Sequence, residues 1–96
     1  MEVLVAYDVN TETKEGRRRL RQVATVCLRY GQRVQKSLFE CRLDLAKLEE
    51  MVAELIDIID AERDSLRIYI LPGKRKHTVK VYGLDHYVDF DEPLVL

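Results

Sequence analysis

The chain has no tryptophan, two prolines, two cysteines and four glycines among its 96 residues. Each shortage narrows the reading. Neither Cys27 nor Cys41 belongs to a C-x-x-C pair. Both fall in apolar-patterned segments, so buried reduced thiols are expected. Pro72 and Pro93 each follow an apolar run, where proline terminates a strand or opens a turn. No apolar run approaches the ~20 residues needed to span a bilayer. The N-terminus starts directly on a strand-like segment, with neither the basic nor the apolar region of a secretory leader. A cytoplasmic protein is the expectation. No Ser-His-Asp set, Gly-rich phosphate loop or zinc pattern can be composed. His77 and His86 have no acidic or cysteine partners at metal-ligand spacing.

What is present is an ordinary globular composition, 47% hydrophobic and 34% charged. A chain this long forms one domain and buries only about 60–65% of its unfolded surface. It supports one modest core and no deep pocket of its own, which favours a functional cleft between subunits. The net charge of −1 hides an asymmetry. Residues 1–42 hold nine Lys/Arg against five Asp/Glu, and residues 43–96 hold seven against twelve. Such a split suits a polyanion-facing side and an acidic side, although solvated helix faces would leave the same trace.

Along the chain, Glu2 to Val9 reads as the first strand. Val3-Leu4-Val5-Ala6 is a continuous apolar run, so both faces of this strand should be covered. Helices on one side of a sheet leave the other side open, and a second subunit is the simplest cover. Thr13 to Tyr30 reads as a helix with Leu20, Val23, Ala24, Cys27 and Tyr30 on its apolar stripe and Gly31 as the C′ residue that ends it. Its opposite face carries Arg18, Arg21, Gln22, Thr25 and Arg29. Arg33 to Leu43 alternates with period two, as one long strand or as two broken near Gln35–Ser37. Asp44 is a good N-cap for a helix to Asp60, with Leu45, Leu48, Val52, Leu55 and Ile59 inward. Leu66 to Leu71 is a further strand, Lys74 to His77 a basic loop, Thr78 to Tyr82 a short strand, and Leu94–Leu96 a final one. The order is an α+β, ferredoxin-like βαββαβ domain over residues 1–83, with a tail of residues 84–96 that adds a C-terminal strand and can pack on the partner subunit.

Asp8 is the first candidate for chemistry. It ends a buried central strand, where loops converge, and one carboxylate can hold a Mg²⁺ ion that keeps most of its waters. The alternative is an Asx-type turn or a cap on the loop Asn10–Glu12. The second candidate is the basic cluster of Arg17, Arg18, Arg19 and Arg21, with Arg29, Arg33 and Lys36 nearby. Arginine binds phosphate through a bidentate fork, and a basic stripe tracks a nucleic-acid backbone without reading sequence. An exposed, solubilising helix face is the alternative. Lys74-Arg75-Lys76-His77 is a third basic segment, either a phosphate contact or a solvated turn.

Three segments together resemble one family: Val5-Ala6-Tyr7-Asp8-Val9, Tyr30-Gly31-Gln32-Arg33-Val34-Gln35-Lys36-Ser37-Leu38-Phe39-Glu40-Cys41, and Asp64-Ser65-Leu66-Arg67-Ile68-Tyr69. They are similar to the small CRISPR-associated endoribonucleases, the second protein of the spacer-adaptation pair. The resemblance covers residues 1 to about 83.

The resemblance implies a symmetric ferredoxin-like homodimer with its two sheets facing. It implies a Mg²⁺-dependent nuclease on single-stranded RNA or double-stranded DNA, and a partner in the CRISPR-associated integrase. The family's acidic residue falls on Asp8, where two subunits share the Mg²⁺ ion, with Tyr7 before it. The family's helix basics fall on Arg19 and Arg21, within the run Arg17–Arg21. Arg33 and Phe39 complete the implied set. Two rival readings stay open: a non-catalytic DNA-binding adaptor that docks the integrase, and a toxin-like ribonuclease controlled by a protein partner.

Overall fold

The computed structural model describes residues 1–89. Its elements run β1 (Glu2–Asp8), α1 (Lys14–Tyr30), β2 (Gly31–Gln35), β3 (Leu38–Arg42), α2 (Leu45–Ile58), β4 (Ser65–Leu71) and a single turn of helix, α3 (Arg75–Thr78). The four strands form one antiparallel sheet in the order β2-β3-β1-β4. The stretch left open between one strand and two is two, joined by a hairpin at Lys36–Ser37 and irregular between Arg33 and Gln35.

Side chains alternate across a strand, and the sheet divides accordingly. Val3, Val5 and Tyr7 of β1 and Phe39 and Cys41 of β3 are buried among Val23, Val26 and Cys27 of α1 and Leu48, Met51 and Leu55 of α2. The two helices therefore cover one face. Burial pushes the thiols up, Cys27 to about 11 and Cys41 to about 12, so both stay protonated.

Helix boundaries follow local chemistry. Thr13 Oγ1 accepts the Gly16 N–H at 3.0 Å, and Asp44 Oδ1 accepts the Lys47 N–H at 2.8 Å. Two expectations for the helices need correction. Met51 is fully buried on the α2 stripe, while Leu45 is 58% exposed. Helical side chains lean towards the N-terminus, so one on the first residue has little beneath it. Gly31 does not end α1 in a left-handed conformation. Its φ of −162° is extended and carries the chain straight into β2. Glycine is needed there for close approach, because a Cβ would strike Cys41 Sγ and the Glu40 carbonyl oxygen.

Leu4, Ala6, Leu38 and Leu71 occupy the sheet face away from the helices and are half-buried. Leu4, Leu38 and Leu71 border a groove of about 520 Å³ with residues 78–82 and 84–86. Two further expectations fail here. Lys74 to His77 is not a simple loop, since Arg75–Thr78 closes one helical turn. Thr78 to Tyr82 forms no strand. Val79 and Val81 alternate as strand residues do, but a strand exists only with a hydrogen-bonded neighbour, and this segment turns across the sheet face instead of pairing with β4. The strand expected at Leu94–Leu96 lies outside the described residues. No helix among the described residues is long and apolar enough to cross a membrane.

Candidate functional site

Asp8 is the last residue of β1, paired in register with Ser65 of β4. Alternation places it on the face away from the helices, and it is exposed. Its carboxylate makes no hydrogen bond or ion pair among the described residues. The turn chemistry that competes for Asp8 belongs to its neighbour: Asn10 Oδ1 accepts the Glu12 N–H at 2.9 Å, which is an Asx turn. Asp8 is thus left available as a hard oxygen ligand.

The loop behind Asp8 is held from three sides. Val9 is buried. The Asn10 N–H donates to Asp64 Oδ1 at 3.0 Å. Gly16 of α1 lies so close to the Asn10 carbonyl oxygen that a Cβ would not fit.

Tyr7 lies under the core face. Its N–H donates to the Ser37 carbonyl at 3.1 Å, which draws the β2–β3 hairpin against the end of β1. Its ring stacks on Phe39, centroids 6.1 Å apart. The Arg33 guanidinium lies 5.2 Å from the Phe39 centroid, a cation–π distance. Burial raises the Tyr7 hydroxyl pKa, with Arg33 opposing. Tyr7, Arg33 and Phe39 therefore form one layered unit under the strand that ends in Asp8.

The arginine run does not act as a block. Arg18 and Arg21 are exposed and have no partner among the described residues, and with Thr25 and Ile58 they border a shallow groove between α1 and α2. Arg17 donates to the Thr11 carbonyl at 3.2 Å. Arg19 donates from Nε to Asp64 Oδ2 at 2.8 Å and from Nη2 to Oδ1 at 3.2 Å. Arg29 pairs with Glu54 at 3.0 Å. The sheet brings Asp8, the start of α1 and Lys36 to one end. The basic segment at Lys74–His77 follows the opposite end of β4, and its Arg75 pairs with Glu40.

Asp64 is the residue that sequence reasoning passed over. Its side chain has 0% exposure. The Arg19 fork, followed by the Asp60 and Asn10 N–H groups, holds its carboxyl down at about 2 against the cost of burial. The available signal was an aspartate at the head of the Asp64–Tyr69 segment, directly before a strand. Among the described residues no three His, Cys, Asp or Glu side chains gather as a metal site.

The family model for CRISPR associated protein Cas2 matches residues 1–79. A CRISPR-associated endoribonuclease Cas2 of Moorella thermoacetica is 50% identical over 100% of both chains. A CRISPR-associated endonuclease Cas2 of Halalkalibacterium halodurans is 46% identical over 99% of each. The crystal structure of Streptococcus pyogenes Cas2 superposes with a TM-score of 0.77 at 49% identity, covering 86% of this chain and 100% of that one.

Proposed function

The chain belongs to the CRISPR-associated protein Cas2 family, and from that premise we propose that it is a Mg²⁺-dependent endonuclease of spacer acquisition, hydrolysing phosphodiester bonds of single-stranded RNA or double-stranded DNA. The observation that carries this is the exposed Asp8 carboxylate, without a partner among the described residues, at the end of the sheet that also holds the start of α1 and Lys36. The relatives' names, endoribonuclease and endonuclease, support the same activity.

The strand order β2-β3-β1-β4 supports a ferredoxin-like reading of the fold. The half-buried apolar face of Leu4, Ala6 and Leu38 supports a homodimer in which that face meets its equivalent, with the tail from residue 84 onwards on the partner. In this reading the two Asp8 carboxylates converge near the dimer axis. The donor set fits Mg²⁺, which prefers oxygen ligands and accepts one or two carboxylates with water completing its shell. When bound, the ion supplies an activated water and neutralises charge on the phosphate.

The chain's own groups do the rest. The Asn10 turn and its anchor to Asp64 fix the direction of Asp8. Arg18 and Arg21, exposed on α1 and without a side-chain partner among the described residues, hold flanking phosphates as bidentate donors. Arg33, over Phe39, adds positive charge beside Tyr7. Two ionised carboxylates brought close repel one another, so site closure depends on the cation.

Asp8→Ala tests this directly. Mg²⁺-dependent cleavage should fall to background while duplex binding persists. Undiminished cleavage by the purified variant defeats the assignment. A strictly monomeric mass in solution defeats the shared site.

The second reading, a DNA-binding adaptor for the CRISPR integrase, is favoured by one observation. Arg18, Arg21, Gln22 and Thr25 form an exposed stripe along α1, and such a stripe binds phosphates with no chemistry at Asp8. Duplex binding with no cleavage in the wild type selects it.

A further inference from the structure

Arg19 stands in a run of arginines, yet its environment sets it apart. Its side chain is 15% exposed, and the carboxylate it grips is 0% exposed. Both Nε and Nη2 are committed to Asp64. Each oxygen of Asp64 also accepts a backbone N–H: Oδ1 from Asn10 at 3.0 Å, and Oδ2 from Asp60 at 2.8 Å. Four hydrogen bonds therefore meet on one buried carboxylate. They tie α1, the loop after β1 and the loop before β4 together, two residues beyond Asp8.

We propose that Arg19 and Asp64 are positioning residues that lock the loop behind Asp8, and that Arg19 is not a phosphate contact. A guanidinium whose Nε–Nη2 edge is already spanned by a buried carboxylate keeps only its Nη1 side for another acceptor, and drawing it out to a phosphate would leave Asp64 charged and without its ion-pair partner in the interior. Arg18 and Arg21 carry no such obligation and remain the phosphate donors of the run. The consequence for Asp8 rests on the nuclease reading above. The consequence for binding does not.

The test uses the full-length protein with Arg19→Lys, Arg19→Gln, Asp64→Asn and Arg18→Gln. The lysine variant keeps the charge and loses the fork. The isosteric asparagine keeps one acceptor oxygen, so a folded sample remains if Arg19→Gln unfolds. Duplex DNA affinity is measured against salt concentration. Arg18→Gln should flatten the log–log slope by about 0.9, the value of one lost duplex phosphate contact, while the Arg19 variants keep the wild-type slope. Hydrogen exchange at the Asn10 amide should quicken in the Arg19 and Asp64 variants and stay unchanged in Arg18→Gln. Mg²⁺-dependent cleavage should lose about tenfold or more in kcat with KM unchanged, the scale on which residues behind a metal ligand act.

A slope flattened by Arg19→Lys or Arg19→Gln overturns the proposal, because Arg19 is then a phosphate contact. So does an Asn10 amide whose exchange ignores the loss of Asp64 or Arg19. If the wild type shows no cleavage that Asp8→Ala removes, the nuclease reading falls by itself. Slope and exchange still decide the lock.

Discussion

Each end of the sheet carries one arginine that grips one buried carboxylate through two hydrogen bonds. At the Asp8 end, Arg19 holds Asp64 at 2.8 and 3.2 Å. At the other end, Arg75 holds Glu40 at 2.8 and 3.1 Å. The pairs look alike, yet their surroundings differ. Asp64 also receives two backbone N–H groups, and so fixes the course of two loops. Among the described residues, the hydrogen bonds to the Glu40 carboxylate come from Arg75, whose guanidinium also lies 3.5 Å from the Tyr87 centroid. That pair holds the start of the segment crossing the sheet face, a segment tied again where Gln32 exchanges two hydrogen bonds with Val88. The same ion-pair chemistry thus makes a rigid support at one end and a surface fastening at the other.

The largest expected effect comes from Asp64→Ala. It leaves a largely buried Arg19 unpaired and strips two loops of their acceptor, so urea unfolding should report a loss of about 3–5 kcal/mol. A loss below about 1 kcal/mol would make the two ends equivalent.

Gly16→Ala attacks the same loop sterically, by forcing a methyl against the Asn10 carbonyl oxygen. A destabilisation of about 1–3 kcal/mol is expected from thermal melts, with a matching drop in Mg²⁺-dependent cleavage if Asp8 acts as proposed.

Arg75→Ala should cost about 1–3 kcal/mol, because water can reach Glu40 once the segment lifts. Protease nicking within residues 79–89 should rise while the Asn10 amide keeps its exchange rate. Altered exchange at Asn10 would couple the ends and break the comparison.

The pH dependence sharpens it further. The Asp64 carboxyl is depressed to about 2 from an ordinary 3.8. The unfolded chain therefore binds the extra proton as pH falls below about 4. The pair's stability is fully present above that and is lost as pH falls through about 2. Chemical denaturation between pH 5 and 2 should show a shallower decline in Asp64→Asn than in the wild type. Equal slopes would mean that the pair does not hold the carboxylate ionised.

Lys47 and Glu50, an exposed pair at 3.2 Å on α2, mark the bottom of the scale. Lys47→Ala should change stability by no more than about 0.5 kcal/mol, measured by the same urea titration.

Much of the fold was legible along the chain. Apolar runs and a period-two stretch mark the strand segments, with Arg33–Leu43 left open between one strand and two, period-3.6 stripes mark the two long helices, and Thr13 and Asp44 mark where the helices begin. The failures share a cause. Val79 and Val81 carry a strand pattern, but a strand depends on a neighbour that the segment does not meet. Gly31 follows a helix as a terminating glycine does, but its constraint is Cys41 and Glu40 on the next strand. At the candidate site, Asp8 was legible as a strand-end carboxylate, while Asp64 was not, because its partner Arg19 lies 45 residues away.

Sequence by itself determined that Val3, Val5 and Tyr7 share one face of β1 while Asp8 shares the other with Leu4 and Ala6, since side-chain direction in a strand is a local property of the backbone; the packing of the two helices decided which face became the core. Sequence also determined that arginines would crowd the start of α1. Only the tertiary structure decided which of those arginines stay free. That choice depends on which one meets a buried carboxylate when β4 closes against β1, and a contact between distant segments leaves no period for a single chain to display.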